Sequence, residues 1–259
     1  MGVIHGNRSL PKIVVLSVPK SGTNLLTQII RGIPQMRYRN EPVDSVADLR
    51  LLSAGEIGWS HAAYSRSYHR ALRRHKIKTV FISRDPRDVA VSFTYFILNK
   101  HHEHRLYPYL RQLPSFNHQL LAVIKGVNFT SIGQQKRFGI RSHPNIIAQI
   151  TNRYRWRLCP YVCNITYEDL MRNKRTRSQA LHRITNYLWP DIQNLGIQSM
   201  DDMVLRMADH IDPNTSYTFR SGRIGEWRQK FNRKHRQAFK QIDKQNLLIK
   251  LGYEQDHRW

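Results

Sequence analysis

The sequence predicts a single α/β domain over residues 1–259, built on a mostly parallel central sheet flanked by helices. Three observations predict it. Short β-branched runs recur along the chain, each run is followed by a loop and a segment of helical period, and no internal repeat or low-complexity linker divides the whole. A length of 259 residues suits one sizeable α/β domain and falls short of two full ones. Hydrophobic residues at 40% and aromatics at 10% supply a packed core and exclude a globally disordered chain.

The first run, Lys12 to Val18 (KIVVLSV), reads as a buried strand that breaks at Pro19. Leu25, Leu26, Ile29 and Ile30 then recur at helical spacing, which leaves Pro19–Asn24 as a strand-to-helix loop. Ile77 to Ser83 (IKTVFIS) is a second buried strand, followed by Asp85-Pro86 and a helix from Pro86 to Leu98. Proline suits a first helical turn because its missing N–H is one that the helix leaves unbonded. Tyr161 to Tyr167 (YVCNITY) is a third strand, and Glu168-Asp169-Leu170 leads from it into a charged helical segment. Strands alternating with helices give a parallel sheet covered on both faces. Residues 99–150 are basic and interrupted by Pro108, Pro114, Gly126, Gly133 and Gly139. They read as helices and loops over an active-site mouth, an acceptor-site or lid insertion. The segment Phe231–Leu251 reads as a C-terminal helix.

There are 42 Lys and Arg against 18 Asp and Glu, a formal net charge of +24 that favours polyanionic partners without choosing among them. Cys159 and Cys163 stand in a C-x₃-C spacing with no second ligand pair, so no zinc site is expected and both are read as reduced thiols. Met1 to Lys12 has no apolar stretch of a secretory leader, and Met1-Gly2 lacks the Ser or Thr of a myristoylation signal at position 6. Nowhere is an apolar run long enough to span a bilayer. These features predict a soluble, cytoplasmic protein, in which the sequons at Asn128, Asn164 and Asn214 are incidental.

Three segments carry anion chemistry. Pro19-Lys20-Ser21-Gly22-Thr23-Asn24 lies where backbone N–H groups and the helix dipole attract an anion. Gly22 permits close backbone approach, Ser21, Thr23 and Asn24 add donors, and Lys20 adds a mobile charge. A polar turn with no ligand fits the same residues. Arg84 ends the second strand, and Ser92, eight residues on, lies two turns along the next helix, so both can converge on one anion. Pairing of Arg84 with Asp85 or Asp88 is the alternative, of small energetic consequence at a surface. In Arg220-Ser221-Gly222-Arg223-Ile224-Gly225-Glu226-Trp227-Arg228, two glycines with flanking cations suit a loop around a phosphate. A basic surface loop with Trp227 in the core is the alternative.

Taken in order, these segments resemble the sulfotransferases that use 3′-phosphoadenosine-5′-phosphosulfate (PAPS). Val18 to Leu25 is similar to that family's 5′-phosphosulfate loop Y-P-K-S-G-T-T-W, with Asn24 for Thr and Leu25 for Trp. Arg84 to Ser92 resembles its 3′-phosphate segment R-[DN]-P-[KR]-D-x-x-x-S, and Arg220 to Arg228 resembles R-K-G-x-x-G-[DE]-W-[KR] with Ser221 for Lys. The resemblance implies a P-loop-like domain in which Lys20, Ser21, Gly22, Thr23, Asn24, Leu25, Arg84, Ser92, Arg220, Ser221 and Gly222 hold the donor. Tyr167-Glu168-Asp169-Leu170 is similar to Y-E-D-[LM], whose Tyr approaches the adenine, and Gln198-Ser199-Met200 stands loosely at the family's T-S-F. Ser60-His61 precedes Arg84 at nearly the distance of the family's S/T-H-L-P segment, although Ala62-Ala63 replaces Leu-Pro and Trp59 replaces a frequent Lys. His69, His75 and the His101-His102-Glu103-His104 cluster compete with His61 as the base, and spacing alone selects His61.

What the resemblance implies is in-line transfer of a sulfuryl group to an acceptor hydroxyl. His61 takes the hydroxyl proton, Lys20 stabilises the leaving phosphoadenosine phosphate (PAP), and no metal is used. The acceptor is expected to be a small-molecule, glycan or lipid-linked hydroxyl, an anionic or glycan one being hinted at by Arg105, Lys125, Lys136, Arg137 and Arg141. Phe231–Leu251 lacks the K-T-V-E dimer motif of animal cytosolic members, which leaves the oligomeric state open. Two other classes remain. An ATP-dependent P-loop phosphotransferase is disfavoured because Lys20 precedes Gly22, whereas the G-x-x-x-x-G-K-[ST] loop has Lys after its last Gly, and because no strand-end Asp for a magnesium ion stands out. A non-catalytic nucleic-acid-binding protein is disfavoured because no nucleic-acid module is recognisable and the basic residues are scattered.

Overall fold

The structure is a computed structural model that describes residues 10–217 and 219–259. Met1 to Ser9, on which the leader and myristoylation readings largely rest, lie outside the described residues. In chain order the elements are β1 (Ile13–Ser17), α1 (Thr23–Arg31), β2 (Arg37–Tyr38), α2 (Val46–Leu51), β3 (Glu56–Ser60), α3 (Arg66–Arg74) and β4 (Lys78–Ser83). There follow α4 (Pro86–Asn99), α5 (Tyr107–Leu110), α6 (Phe116–Lys125), β5 (Val127–Asn128), α7 (Ile132–Phe138), β6 (Ser142–His143) and α8 (Ile146–Tyr154). The remainder is β7 (Val162–Thr166), α9 (Tyr167–Met171), α10 (Lys174–Ile192), α11 (Met200–Asp209), α12 (Trp227–Lys230), α13 (Arg233–Ile242) and α14 (Leu247–Lys250). The chain gathers into two compact units: residues up to Ser83 with Arg153–Phe219, and Arg84–Asn152 with Arg220–Trp259.

The first unit holds the sheet. Among the described residues it has five strands in the order β2-β3-β1-β4-β7, with every neighbouring pair parallel. The three β-branched runs are its central and C-terminal strands, trimmed by a residue at most ends. All five residues of β1 are buried, as expected of a strand covered on both faces. Leu26, Ile29 and Ile30 of α1, Ala180, Leu181 and Ile184 of α10, and Met203 and Met207 of α11 pack with Val15, Val80, Ile82 and Ile165 in one core.

β3 escapes the β-branched pattern because Gly58 and a half-exposed Glu56 interrupt it. A Cβ at Gly58 would stand 3.0 Å from Val43 Cγ2 and 3.2 Å from Leu52 Cδ1, so close packing excludes the side chain that would have marked a strand. The expected third strand ends earlier than its sequence run. Thr166 and Asp169 form a reciprocal capping box, which makes Tyr167 the first residue of α9 instead of the last of the strand.

In the second unit, residues 99–150 form short helices and the antiparallel β5–β6 pair around Ile97, Leu106, Leu110, Val123, Phe129, Phe138 and Ile140. The predicted C-terminal helix over Phe231–Leu251 is divided into α13 and α14. Asp243 ends the first, and its carboxylate accepts from Leu247 N (2.7 Å) and Leu248 N (3.2 Å) to start the second. Arg87 is buried with its guanidinium 3.6 Å from the Trp227 ring and 4.6 Å from that of Trp259, paired with Asp85 and Glu254.

Candidate active site

In the first unit, the loop after β1 is shaped for an anion. Val18 N donates to Ile82 O (3.2 Å) and Ser21 N to Val18 O (3.1 Å), which turns the chain sharply at the sheet's C-terminal end. Lys20 (φ 67°) and Gly22 (φ 101°) both adopt left-handed backbone, which leads the chain through a tight turn into the start of α1. Gly22 caps α1 with no side-chain cap bond, and the first turn of α1 contains no acidic residue. A Cβ at Gly22 would stand 2.8 Å from Tyr167 Cδ2, so Tyr167 roofs the glycine and holds the loop down. Ser21 is fully buried, and its Oγ has no hydrogen-bond partner among the described residues. An orphaned buried hydroxyl beside a helix start with no side-chain cap fits a bound oxyanion. Asn24 donates to Ser216 Oγ (3.2 Å), while Leu25 turns back against the core.

His61 joins this loop through one side chain. It follows Ser60 at the end of β3, and the register pairs Leu16 of β1 with Ser60. That pairing places Ser17 beside the imidazole, with Nδ1 at 2.9 Å from Ser17 Oγ and 3.3 Å from Ser17 O. Ser17 Oγ also meets Thr23 Oγ1 at 2.8 Å. A carbonyl oxygen only accepts, so this geometry assigns the proton to Nδ1 and leaves the lone pair on Nε2. The His61 backbone is pinned as well: its N–H donates to Asp44 Oδ1 (2.9 Å), and its carbonyl accepts from Arg153 Nε (2.7 Å). The Trp59 ring meets the imidazole edge-on at 5.5 Å. Burial lowers the His61 pKa from its ordinary 6.5; Ser17 and Asp44 oppose the shift, and Arg153 and Lys20 reinforce it. The imidazole is therefore neutral at neutral pH, the form that accepts a proton.

In the second unit, Arg84 and the 220–227 loop are tied together by Asp88. Arg84, buried, donates through Nη2 to Arg223 O (2.7 Å) and more distantly to Asp88 Oδ2 (3.4 Å). The Asp88 carboxylate accepts from Gly225 N (2.7 Å) and Trp227 N (2.9 Å). Burial raises its pKa although Arg84 and those two N–H groups pull the other way. Ser92 lies half-buried on α4. Arg220 makes a two-point pair with Glu226 and stacks 4.2 Å over the Tyr95 ring. Burial pushes the Glu226 carboxyl up, and Arg220 pulls it further down, to below the usual 4.5. Gly222 (φ 65°) and Gly225 (φ 70°) supply the left-handed turns of this loop, with Ser221 half-buried between Arg220 and Gly222.

Among the competing histidines, His69 meets the Tyr64 ring at a tilt and the Trp156 ring edge-on. His104 lies between His101 and His143, where burial and those neighbours lower its pKa to about 4. Ser199 of the Gln198–Met200 segment caps α11 by accepting from Asp202 N (3.1 Å). Ser17, Asp44 and Arg153 escape a reading of the sequence, since each reaches the His61 segment only through the folded sheet.

Comparison with known proteins bears on the family and the fold. The family model described as the sulfotransferase domain matches residues 10–249. Mouse sulfotransferase 6B1 is 23% identical over 262 residues, covering 93% of this chain and 80% of that protein. Among solved structures, mouse sulfotransferase SULT7A1 complexed with PAP superposes with a TM-score of 0.62 at 19% identity, over 96% of this chain and 87% of the other. Retinol dehydratase in a complex with retinol and PAP gives a TM-score of 0.54 at 17% identity, over 93% and 83%.

Proposed function

The chain belongs to the sulfotransferase-domain family, and from that premise we propose that it transfers a sulfuryl group from PAPS to an acceptor hydroxyl with His61 as the base. The observation that carries the proposal is the hydrogen-bonded chain from His61 Nδ1 through Ser17 Oγ to Thr23 Oγ1, which joins a neutral imidazole to the anion loop. Lys20, Ser21, Gly22, Thr23 and Asn24 bind the 5′-phosphosulfate, with Leu25 and Tyr167 closing the loop's apolar side. Arg84, Ser92, Arg220, Ser221 and Gly222 receive the 3′-phosphate, and Arg220 exchanges part of its pairing with Glu226 to do so. PAPS is a substrate here, and PAP leaves as product.

Nε2 of His61 removes the acceptor proton while the hydroxyl oxygen attacks sulfur. The new O–S bond forms as the bond from sulfur to the bridging phosphate oxygen breaks. That oxygen keeps the electron pair, and the Lys20 ammonium stabilises the charge it gains. The positive charges of Lys20 and Arg153 also keep the imidazole neutral before the attack. The free thiols of Cys159 and Cys163, both buried, fit the reducing cytoplasm that this reading assumes.

The acceptor class follows from an assay. The similar retinol dehydratase structures contain retinol and androsterone, so apolar alcohols head the panel, followed by phenols, lipid-linked hydroxyls and glycans. Purified protein is incubated with radiolabelled PAPS and each acceptor, and melting is followed with PAP or with ATP and magnesium. Label transfer, together with thermal stabilisation by PAP but not ATP, is expected. His61→Ala should abolish transfer and keep the PAP stabilisation. Wild-type turnover by His61→Ala would remove the base from this residue, and stabilisation by ATP alone would favour phosphoryl chemistry.

A further inference from the structure

α3 turns Tyr68, Ala71 and Leu72 to the core and Arg66, Arg70, Arg73 and Arg74 to solvent. At helical spacing the four arginines form one stripe opposite the buried face. None makes an ion pair with a carboxylate among the described residues. The first turn has no acidic residue and begins with Arg66, where the helix dipole disfavours a cation. Arg66 with Arg70, and Arg70 with Arg74, repel at i,i+4 spacing. Arg73 and Arg74 in the last turn suit the dipole, but the repulsion along the stripe and the cation at its start are relieved only by anions from outside. With His69 the arginines line an open cavity of about 510 Å³, wide enough to seat phosphate groups.

The neighbouring turn adds a second, different feature. The Arg73 guanidinium lies 4.2 Å over the Tyr161 ring, joining α3 to the Arg155–Tyr161 turn. In that turn Leu158 is 83% exposed and Tyr161 54% exposed, beside an exposed Arg155. A soluble polyanion would engage the arginines and leave Leu158 in water. A bilayer satisfies both features: guanidinium groups meet lipid phosphates while a leucine and an aromatic ring enter the boundary between headgroups and acyl chains. We propose that α3 and the Arg155–Tyr161 turn form a docking surface for an anionic lipid bilayer. The surface lies on the first unit alone and does not depend on the catalytic reading.

The test uses the full chain with phosphatidylcholine vesicles, with and without phosphatidylserine, in a flotation assay. Binding is expected only to the vesicles containing phosphatidylserine. The combined Arg66→Gln, Arg70→Gln and Arg74→Gln variant should bind roughly a hundredfold more weakly, about fivefold for each arginine. Leu158→Ser, which keeps every charge, should lose roughly tenfold. Arg233→Gln, Lys234→Gln and Lys244→Gln together remove the same charge from α13 and its C-terminal turn, and should stay within about twofold of wild type. An equal loss from this control would reduce the effect to net charge and overturn the proposal. So would full vesicle binding by Leu158→Ser, most clearly if a single-stranded oligonucleotide displaces the vesicles, since the face would then be a polyanion site. Melting curves check that each variant folds; should the α3 variant fail to fold, the Leu158→Ser result decides.

Discussion

The base role proposed for His61 requires a fixed ring orientation and tautomer, and Ser17 supplies both. Its carbonyl and hydroxyl oxygens face Nδ1, and the hydroxyl continues to Thr23. Ser17→Ala removes the hydroxyl and keeps the carbonyl. We therefore expect kcat to fall roughly ten- to hundredfold with little change in KM for the donor, since the base is misaligned while the phosphate contacts persist. A fall in donor affinity with unchanged kcat would assign Ser17 to the loop alone. If His61 is the base, its depressed pKa sets the pH dependence. The neutral base is lost only as pH falls through its folded value, so the acid limb of kcat/KM should lie below pH 6.5, the ordinary histidine value. The same shift bears on stability. The unfolded chain takes up the proton first, so stability is lost as pH falls from the unfolded value toward the folded one. An acid limb above 6.5 would contradict burial as the dominant cause. The Ser17–His61 contact was not legible in the chain, where the two stand 44 residues apart. It arises from the parallel register of β1 on β3, and Gly58 and Glu56 conceal β3 from any β-branched pattern.

At the level of elements, the β1–loop–α1 unit was legible because its signals are local: a β-branched run, a proline, a glycine and then helical periodicity. What the run of letters could not give is why that glycine is needed. Gly22 sits at φ 101° under the Tyr167 ring, so Gly22→Ala meets both backbone strain and a 2.8 Å contact. The expected cost is about 1–3 kcal/mol by thermal or urea denaturation, together with loss of stabilisation by PAP. Unchanged stability and PAP response would mean the loop adjusts freely. The Arg220–Trp227 loop was likewise legible from its glycines, but its anchor was not, since Asp88 reads in sequence only as a possible partner of Arg84. Two loop N–H groups end on that carboxylate. Asp88→Ala should release the loop and make Arg223 and Arg228, both exposed, sites of rapid tryptic cleavage. Asp88→Asn, which keeps one acceptor oxygen, should be cleaved more slowly. Equal cleavage of wild type and Asp88→Ala would show that the loop is held by Trp227 packing instead.

For the whole molecule, the α/β class follows from strand and helix alternation, which depends on composition within short windows. The grouping into two units does not, because it joins Arg84–Asn152 to Arg220–Trp259 across a long stretch of chain. Burial of Arg87 between Trp227 and Trp259 is one such long-range event that no local pattern announces. Charge, by contrast, is fully legible and acts on the molecule as one quantity. A formal net charge of +24 makes the compact state repel itself more than the expanded one. Against that repulsion stand ion pairs shielded from water: Arg84 with Asp88 and Arg87 with Asp85, both buried, and Arg220 with Glu226, partly so. Salt screens such pairs less than it screens repulsion among exposed charges, because the Debye length is about 10 Å at 0.1 M and reaches mainly solvent-facing groups. Raising sodium chloride from low to moderate concentration should therefore raise the melting temperature of the ligand-free protein. The same salt should weaken stabilisation by PAP, whose phosphates draw on that positive field. A melting temperature that falls with salt would mean that attractive surface pairs outweigh the self-repulsion, and that the excess charge lies too far apart to oppose folding.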